Sequence, residues 1–235
     1  MRIDLDSVRQ HLADGGSPDK ADQHGRTVLS HMAGQGRVDI MTLLLEHGAD
    51  VEQPDDVGDT PLSYAAVNSR EATLLLLEYG AEVDAPNALN KQAPLMRAAY
   101  WGCVPMMEVL LAHGAQADAR TAFGSTVLMN AARNQHIGAV AMLLDRQADV
   151  NARDHDGNTA LHHAVMPCSP TGQEDLVRLL LEHGANPDLV NKAGTFAENL
   201  AQGAAREVLV AERVERERAL LLGDFTAPIA RSRCM

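Results

Sequence analysis

Aromatic side chains are scarce in this chain: one Trp, three Tyr and three Phe, 3% of 235 residues. The apolar content is nonetheless 46% and is dominated by Ala and Leu, which suits thin layers of helix on helix rather than one thick core. Cysteine is rarer still. Cys103, Cys168 and Cys234 form an odd set with no C-x-x-C spacing, which excludes a disulfide framework and points to a reducing compartment. No run approaches the roughly 20 apolar residues of a membrane span. Residues 1–12 contain no apolar h-region, so no secretory signal is read there. Cytoplasm is the expected location, with export by a signal-less route left open. Basic residues are outnumbered, 20 against 32 acids, for a net charge of −12. Residues 205–235 hold six Arg against five acids, so the excess lies in residues 1–204. Such a surface repels phosphate backbones and argues against nucleic acid. It favours solubility and a basic partner.

What the chain does have is a period. Gly25, Gly58, Gly124 and Gly157 fall on a 33-residue grid whose missing tick is Lys91. The pairs Gly48-Ala49, Gly80-Ala81, Gly114-Ala115 and Gly184-Ala185 run beside it with nearly the same spacing. A period near 33 means a stacked array of helical units, each burying its apolar face against its neighbours.

Each unit repeats a text. Asp22-Gln-His-Gly25-Arg-Thr27-Val-Leu29 opens one and Asp55-Asp-Val-Gly58-Asp-Thr60-Pro61-Leu62 the next. Ala93-Pro94-Leu95, Gly124-Ser-Thr126-Val-Leu128 and Asp154-His-Asp-Gly157-Asn-Thr159-Ala-Leu161-His162 follow in register. Thr27, Thr60, Thr126 and Thr159 stand where an N-cap is needed. Pro61 and Pro94 suit the first helical position, where a missing N–H costs nothing. The Ala pairs at 65–66, 98–99 and 131–132 permit close helix approach. The Leu pairs at 43–44, 75–76, 110–111, 143–144 and 180–181 fill the space between helix layers. Gly48, Gly80, Gly114 and Gly184 stop each second helix.

This text resembles the ankyrin repeat, with its D-x-x-G-x-T-P-L-H-x-A-A opening, over nearly all of residues 1–202. The resemblance implies an all-α solenoid of stacked helix–turn–helix units with hairpin-like turns, elongated and curved. The expected organisation is an N-terminal capping half-repeat at 1–21 and five repeats at 22–54, 55–87, 88–120, 121–153 and 154–190. A degenerate capping repeat with a charged helix follows at 191–222, then a tail at 223–235. The departures are local. Lys91 replaces a turn glycine and Gln147 the glycine of the fourth Gly-Ala pair. The link at Asn68-Ser69-Arg70 is one residue short, and a Pro/Gly loop at 166–172 makes the fifth repeat longer.

Members of that family bind other proteins through hairpin tips and the exposed face of the first helices, which together form a concave groove. Carried over by position, the resemblance places Trp101 and Tyr100 at the end of a first helix, with Phe123 and Leu89 on tips. These are the expected anchors, because large apolar groups at normally polar positions suggest a hot spot. Arg97, Arg133, Asn134, Asp56, Asp59, Asn90 and His155 are the expected polar rim. The implied function is a non-enzymatic adaptor or inhibitor that binds one protein partner as a monomer. Two other readings stay open: a secreted effector engaging host proteins, and a structural module self-associating through its C-terminal helix, which carries the charged stretch Glu212–Arg218. No nucleophile–base pattern or phosphate loop is visible, and no cofactor is expected. His155, His162 and His163 lie close together, but His162 holds the family's structural T-x-L-H position. No metal site is expected there.

Overall fold

The computed structural model describes residues 3–166 and 173–221. The loop at 167–172, with Cys168, and the tail from 222, with Cys234, lie outside the described residues. By its contacts the chain divides into two compact units, residues 1–122 and 123–235.

The first unit holds α1 (Leu5–Ala13) and then three helix pairs. These are α2 (Val28–Gln35) with α3 (Val38–Glu46), α4 (Pro61–Asn68) with α5 (Arg70–Glu78), and α6 (Pro94–Tyr100) with α7 (Val104–Ala112). The second unit holds α8 (Val127–Arg133) with α9 (Ile137–Asp145), α10 (Ala160–Val165) with α11 (Gln173–Glu182), and α12 (Ala197–Leu200) with α13 (Gly203–Leu221). Within each unit, first helices pack on first helices (α2 on α4, α4 on α6; α8 on α10, α10 on α12). Second helices stack likewise, α1 on α3, α3 on α5 and α5 on α7, then α9 on α11 and α11 on α13.

The core follows the repeated letters. The Ala pairs at 65–66, 98–99 and 131–132 are fully buried, which lets neighbouring first helices close up. At least one Leu of each pair (Leu44, Leu76, Leu110, Leu143 with Leu144, Leu180) is buried between the layers. Each such side chain contributes about 1.5–3 kcal/mol of burial.

The caps are less uniform than the sequence suggests. Thr27 and Thr126 accept from the N–H groups of Ser30 and Met129 as expected, at 3.1 and 3.2 Å. Thr60 does not: Ser63 N–H turns to the Thr60 carbonyl, and the Thr60 hydroxyl is buried without a partner. Thr159 sets its hydroxyl against His162 Nδ1 at 2.9 Å.

Tips are tied to tips. Asp56 N–H donates to the His24 carbonyl, Ala88 to Val57 and Ala122 to Asn90 in the first unit. His155 donates to Phe123 and Lys192 to Asp156 in the second. This close approach explains the glycine grid. Gly58 has φ +85°, and a Cβ there would stand 2.4 Å from Ala88 N. Lys91 and Gln147 replace glycine yet keep positive φ, 59° and 63°.

The short link after α4 has a counterpart downstream. Ser69 alone joins α4 to α5, capping one and opening the other. The next tip is one residue longer: Asn87 N–H reaches the Gln92 carbonyl, where Asp22, Asp55 and Asp154 reach a carbonyl four residues on. The deletion and the insertion cancel, and the 33-residue grid resumes at Gly124.

Candidate functional site

The tips that open on an acid or amide (Asp22, Asp55, Asn87, Asp154 and Asn191) are organised by it. The Asp22 carboxylate accepts the N–H groups of His24 and Arg26, and Asp154 those of Asp156 and Asn158. Their second oxygens meet a side chain nine residues on: His31 at 2.9 Å for Asp22 and His163 at 2.8 Å for Asp154. Asp55 does the same with the Tyr64 hydroxyl. The bonds from His24 N–H and from His31 hold the Asp22 carboxyl down at about 2. Burial pushes Asp154 up, but its bonds to His163 and Asn158 outweigh that and hold it below the usual range.

The third tip departs from this scheme, and its departure builds the polar centre of the first unit. Asn87 takes the place of the acid, accepting from the N–H groups of Asn90 and Gln92. It has no charge for the side chain above it, which is Arg97. Arg97 pairs instead with Asp59 of the preceding tip, whose other oxygen accepts from the Asn87 amide. The Arg97 guanidinium lies over the Tyr64 ring, 5.1 Å from its centroid, and Arg26 lies 5.6 Å from the same centroid. Burial and the Asp55 carboxylate push the Tyr64 hydroxyl well above its ordinary value, so it stays a donor. Asp59 is only 5% exposed. Two of the expected rim charges, Arg97 and Asp59, therefore satisfy each other inside the repeat stack.

The expected anchors of the first unit are exposed. Leu89 projects from the third tip with 74% of its surface accessible. Trp101 is 59% exposed at the end of α6 and meets Tyr100 edge to face, ring centroids 5.5 Å apart. Val57, also exposed, stands on the adjacent tip. Asp56 is exposed beside it, and Asn90 is half-buried. In the second unit Phe123 is 67% exposed on its tip. His155 is exposed on the following tip, its ring packed over Gly124, where a Cβ would lie 2.6 Å from Cδ2. Arg133 is exposed at the end of α8, and Asn134 turns its amide back to the Asn130 carbonyl at 2.9 Å. Tyr64 is the residue that reading by position passed over. Its signal was present, since it stands nine residues after Asp55, as His31 does after Asp22 and His163 after Asp154.

The histidines are engaged within the fold. His162 Nδ1 accepts the Thr159 N–H and its Nε2 donates to the Thr195 carbonyl at 3.0 Å. Burial pushes both His162 and His163 below their ordinary value. Nδ1 of His47, His113 and His183 donates to a carbonyl four residues back, closing α3, α7 and α11. Among the described residues no group of three or more His, Cys, Asp or Glu converges as metal ligands, and no helix is long and apolar enough to cross a membrane.

Paired helices stacked layer on layer, with tips joined by backbone bonds at a 33-residue spacing, define a helical-repeat protein that presents tips and first-helix ends as its exposed face. A family model described as ankyrin repeats (3 copies) matches residues 2–87 and 95–191, and the chain belongs to the ankyrin repeat family. The unmatched residues 88–94 include most of the lengthened third tip. The chain is 34% identical over 208 residues to mouse ankyrin repeat and SOCS box protein 16, covering 84% of this chain and 45% of that protein. It is 32% identical over 173 residues to neurogenic locus notch homolog protein 1 of Xenopus tropicalis, covering 73% of this chain and 5% of that one. It thus spans under half the length of these relatives. The crystal structure of the human ASB11 ankyrin repeat domain superposes with a TM-score of 0.77 at 27% identity, covering 88% of this chain and 92% of that one. Ankyrin repeat domains generally mediate protein–protein interaction, and the fold is generally non-enzymatic.

Proposed function

We propose that this chain is a monomeric, cytoplasmic protein-binding module, an adaptor or inhibitor, whose recognition elements are its tips and first-helix ends. The observation that carries this reading is the exposure of Leu89, Trp101 and Phe123. Each places a large apolar surface in water at a position the packing of the repeats does not require. A rigid repeat stack holds such anchors in place before the partner arrives, which lowers the ordering cost of binding. Leu89, Tyr100 and Trp101 serve in the first unit, with Asp56 and Asn90 as polar neighbours. Phe123, Arg133, Asn134 and His155 serve in the second. Arg97 and Asp59 contribute from beneath, by fixing the first helices rather than by pairing with the partner.

The test is affinity capture from native lysate, comparing wild type with Leu89→Ser/Trp101→Ala. A partner recovered by wild type and lost by the double variant, with the melting curve unchanged, supports the reading. A partner retained by both would move recognition away from these residues. Against a self-associating C-terminal helix stand Arg213 and Arg216. They tie α13 back to Glu198, Asn186 and Asp188 of its own unit, as a cap would be tied.

A further inference from the structure

The last carbonyls of a helix have no partner within it and take donors from elsewhere. After α2 and α6 the turn that follows supplies two of them. Gly36 and Arg37 N–H donate to Ala33 and Met32, and Gly102 and Cys103 N–H donate to Ala99 and Ala98. After α4 the single link residue Ser69 donates to Ala65. The penultimate carbonyl lies beyond these bonds, and in three first helices a side chain of a neighbouring repeat closes it. Asn68 donates to Gly34 of α2 at 2.9 Å, Cys103 to Val67 of α4 at 2.9 Å and Gln135 to Ala164 of α10 at 2.6 Å. Two of these donors are amides and the third is a thiol.

The thiol stands at a particular place. Trp101 is the C-cap of α6, Gly102 follows with φ +67°, and Cys103 N–H returns to the Ala98 carbonyl at 2.8 Å. Cys103 therefore ends the bonded turn that carries the Tyr100–Trp101 pair. Those rings are 43% and 59% exposed, so their own burial does little to fix them. α6 is instead gripped on the preceding repeat at two points. One turn before Trp101, Arg97 pairs with Asp59 and lies over the Tyr64 ring of α4. Two residues after Trp101, Cys103 holds the end of α4 through Val67. Burial pushes the Cys103 thiol above its ordinary value, so it keeps its proton and stays a donor.

We propose that Cys103 is a positioning residue for the Tyr100–Trp101 pair: its S–H bond to Val67 fastens the end of α6 to α4 and holds both rings ready for a partner. This role rests on the reading of Trp101 as an anchor and names the residue that presents it. A turn released from α4 would leave the pair to be ordered during binding, at a cost in affinity.

Trp101 is the one Trp of the chain, so its fluorescence reports on this turn alone. Time-resolved anisotropy of the free, full-length chain reads the nanosecond freedom of its ring, and near-UV circular dichroism reads the fixity of its surroundings. Cys103→Ala and Cys103→Val remove the donor, the second while filling the space of the thiol. Cys103→Ser keeps a donor. Both non-donor variants should lose residual anisotropy and the Trp circular dichroism band, and Cys103→Ser should retain the wild-type signals. Asn68→Ala cuts the corresponding bond between α4 and α2 and should leave both signals unchanged. A cooperative melt shows that each variant is folded. The proposal is overturned by wild-type signals in a folded non-donor variant, by a folded Cys103→Ser that behaves as Cys103→Ala does, or by equal loosening of Trp101 in Asn68→Ala. No partner enters these measurements. Their failure is therefore distinct from a partner retained by the Leu89→Ser/Trp101→Ala variant, which counts against Trp101 as an anchor.

Discussion

At the residue scale, two positions show what the turn geometry costs. Gly58 is needed twice over, for a left-handed φ and for the approach of Ala88. Lys91 meets the same demand with a side chain, at φ +59°. Lys91→Gly should therefore raise stability by about 1 kcal/mol, read as a higher urea midpoint with unchanged slope. Gly58→Ala should lower it by more than that, about 2 kcal/mol. His163 offers a different test. Burial holds its folded pKa below the ordinary 6.5, so between the two values the unfolded chain binds the extra proton. Stability should fall as pH drops below about 6.5. Asp154, held below 3.8, keeps its contribution above that ordinary value and loses it as pH falls from there through the lower folded one, outside the window in which His163 titrates. Melting scans from pH 7.5 to 5 should show the decline, and His163→Gln should make it shallower, the part that remains being that of the buried His162. An equal slope in the variant would assign the loss to other groups.

At the scale of elements, what repeats was legible and what does not was hidden. The Ala and Leu pairs announce both helices of each repeat because every unit buries them in the same way. The positions of Leu89, Trp101 and Phe123 were readable for the same reason: a register that fixes buried positions also fixes exposed ones. The pairing of Arg97 with Asp59 was not readable. It depends on Asn87 standing in for the tip acid, and that depends on a one-residue insertion paired with the deletion at Ser69. Position counting sees both residues at exposed places of their repeats and cannot see them turn toward each other. Removing one partner of this pair strands the buried charge of Asp59. Arg97→Ala should cost about 3 kcal/mol, whereas the double variant Arg97→Met/Asp59→Asn should recover most of the loss. A urea-denaturation cycle measures the coupling. Additive single effects would mean that Tyr64 and Asn87 alone organise this region.

At the scale of the whole molecule, the net charge of −12 has two separate uses. Part of it is structural. Four of the turns after second helices accept an N–H of the next such turn through a side-chain oxygen: Asp19 accepts from Asp50, Glu52 from Glu82, Asp84 from Gln116 and Asn151 from Asn186. Asn151 does this work without charge, so the ladder needs an oxygen and not an anion. Exposed acids outside these turns, Asp56 among them, add to the field that an approaching partner meets. The two uses separate under salt. A partner steered by that field should associate roughly tenfold or more slowly at about 0.5 M salt than at 0.05 M. Its dissociation rate, which the proposed anchors Leu89 and Trp101 would govern, should change little, and the melting temperature of the free chain should hold or rise as self-repulsion is screened. Stopped-flow mixing at the two salt concentrations reads both rates. An association rate flat in salt would leave the acids without a role in recognition and rest it on the apolar anchors alone.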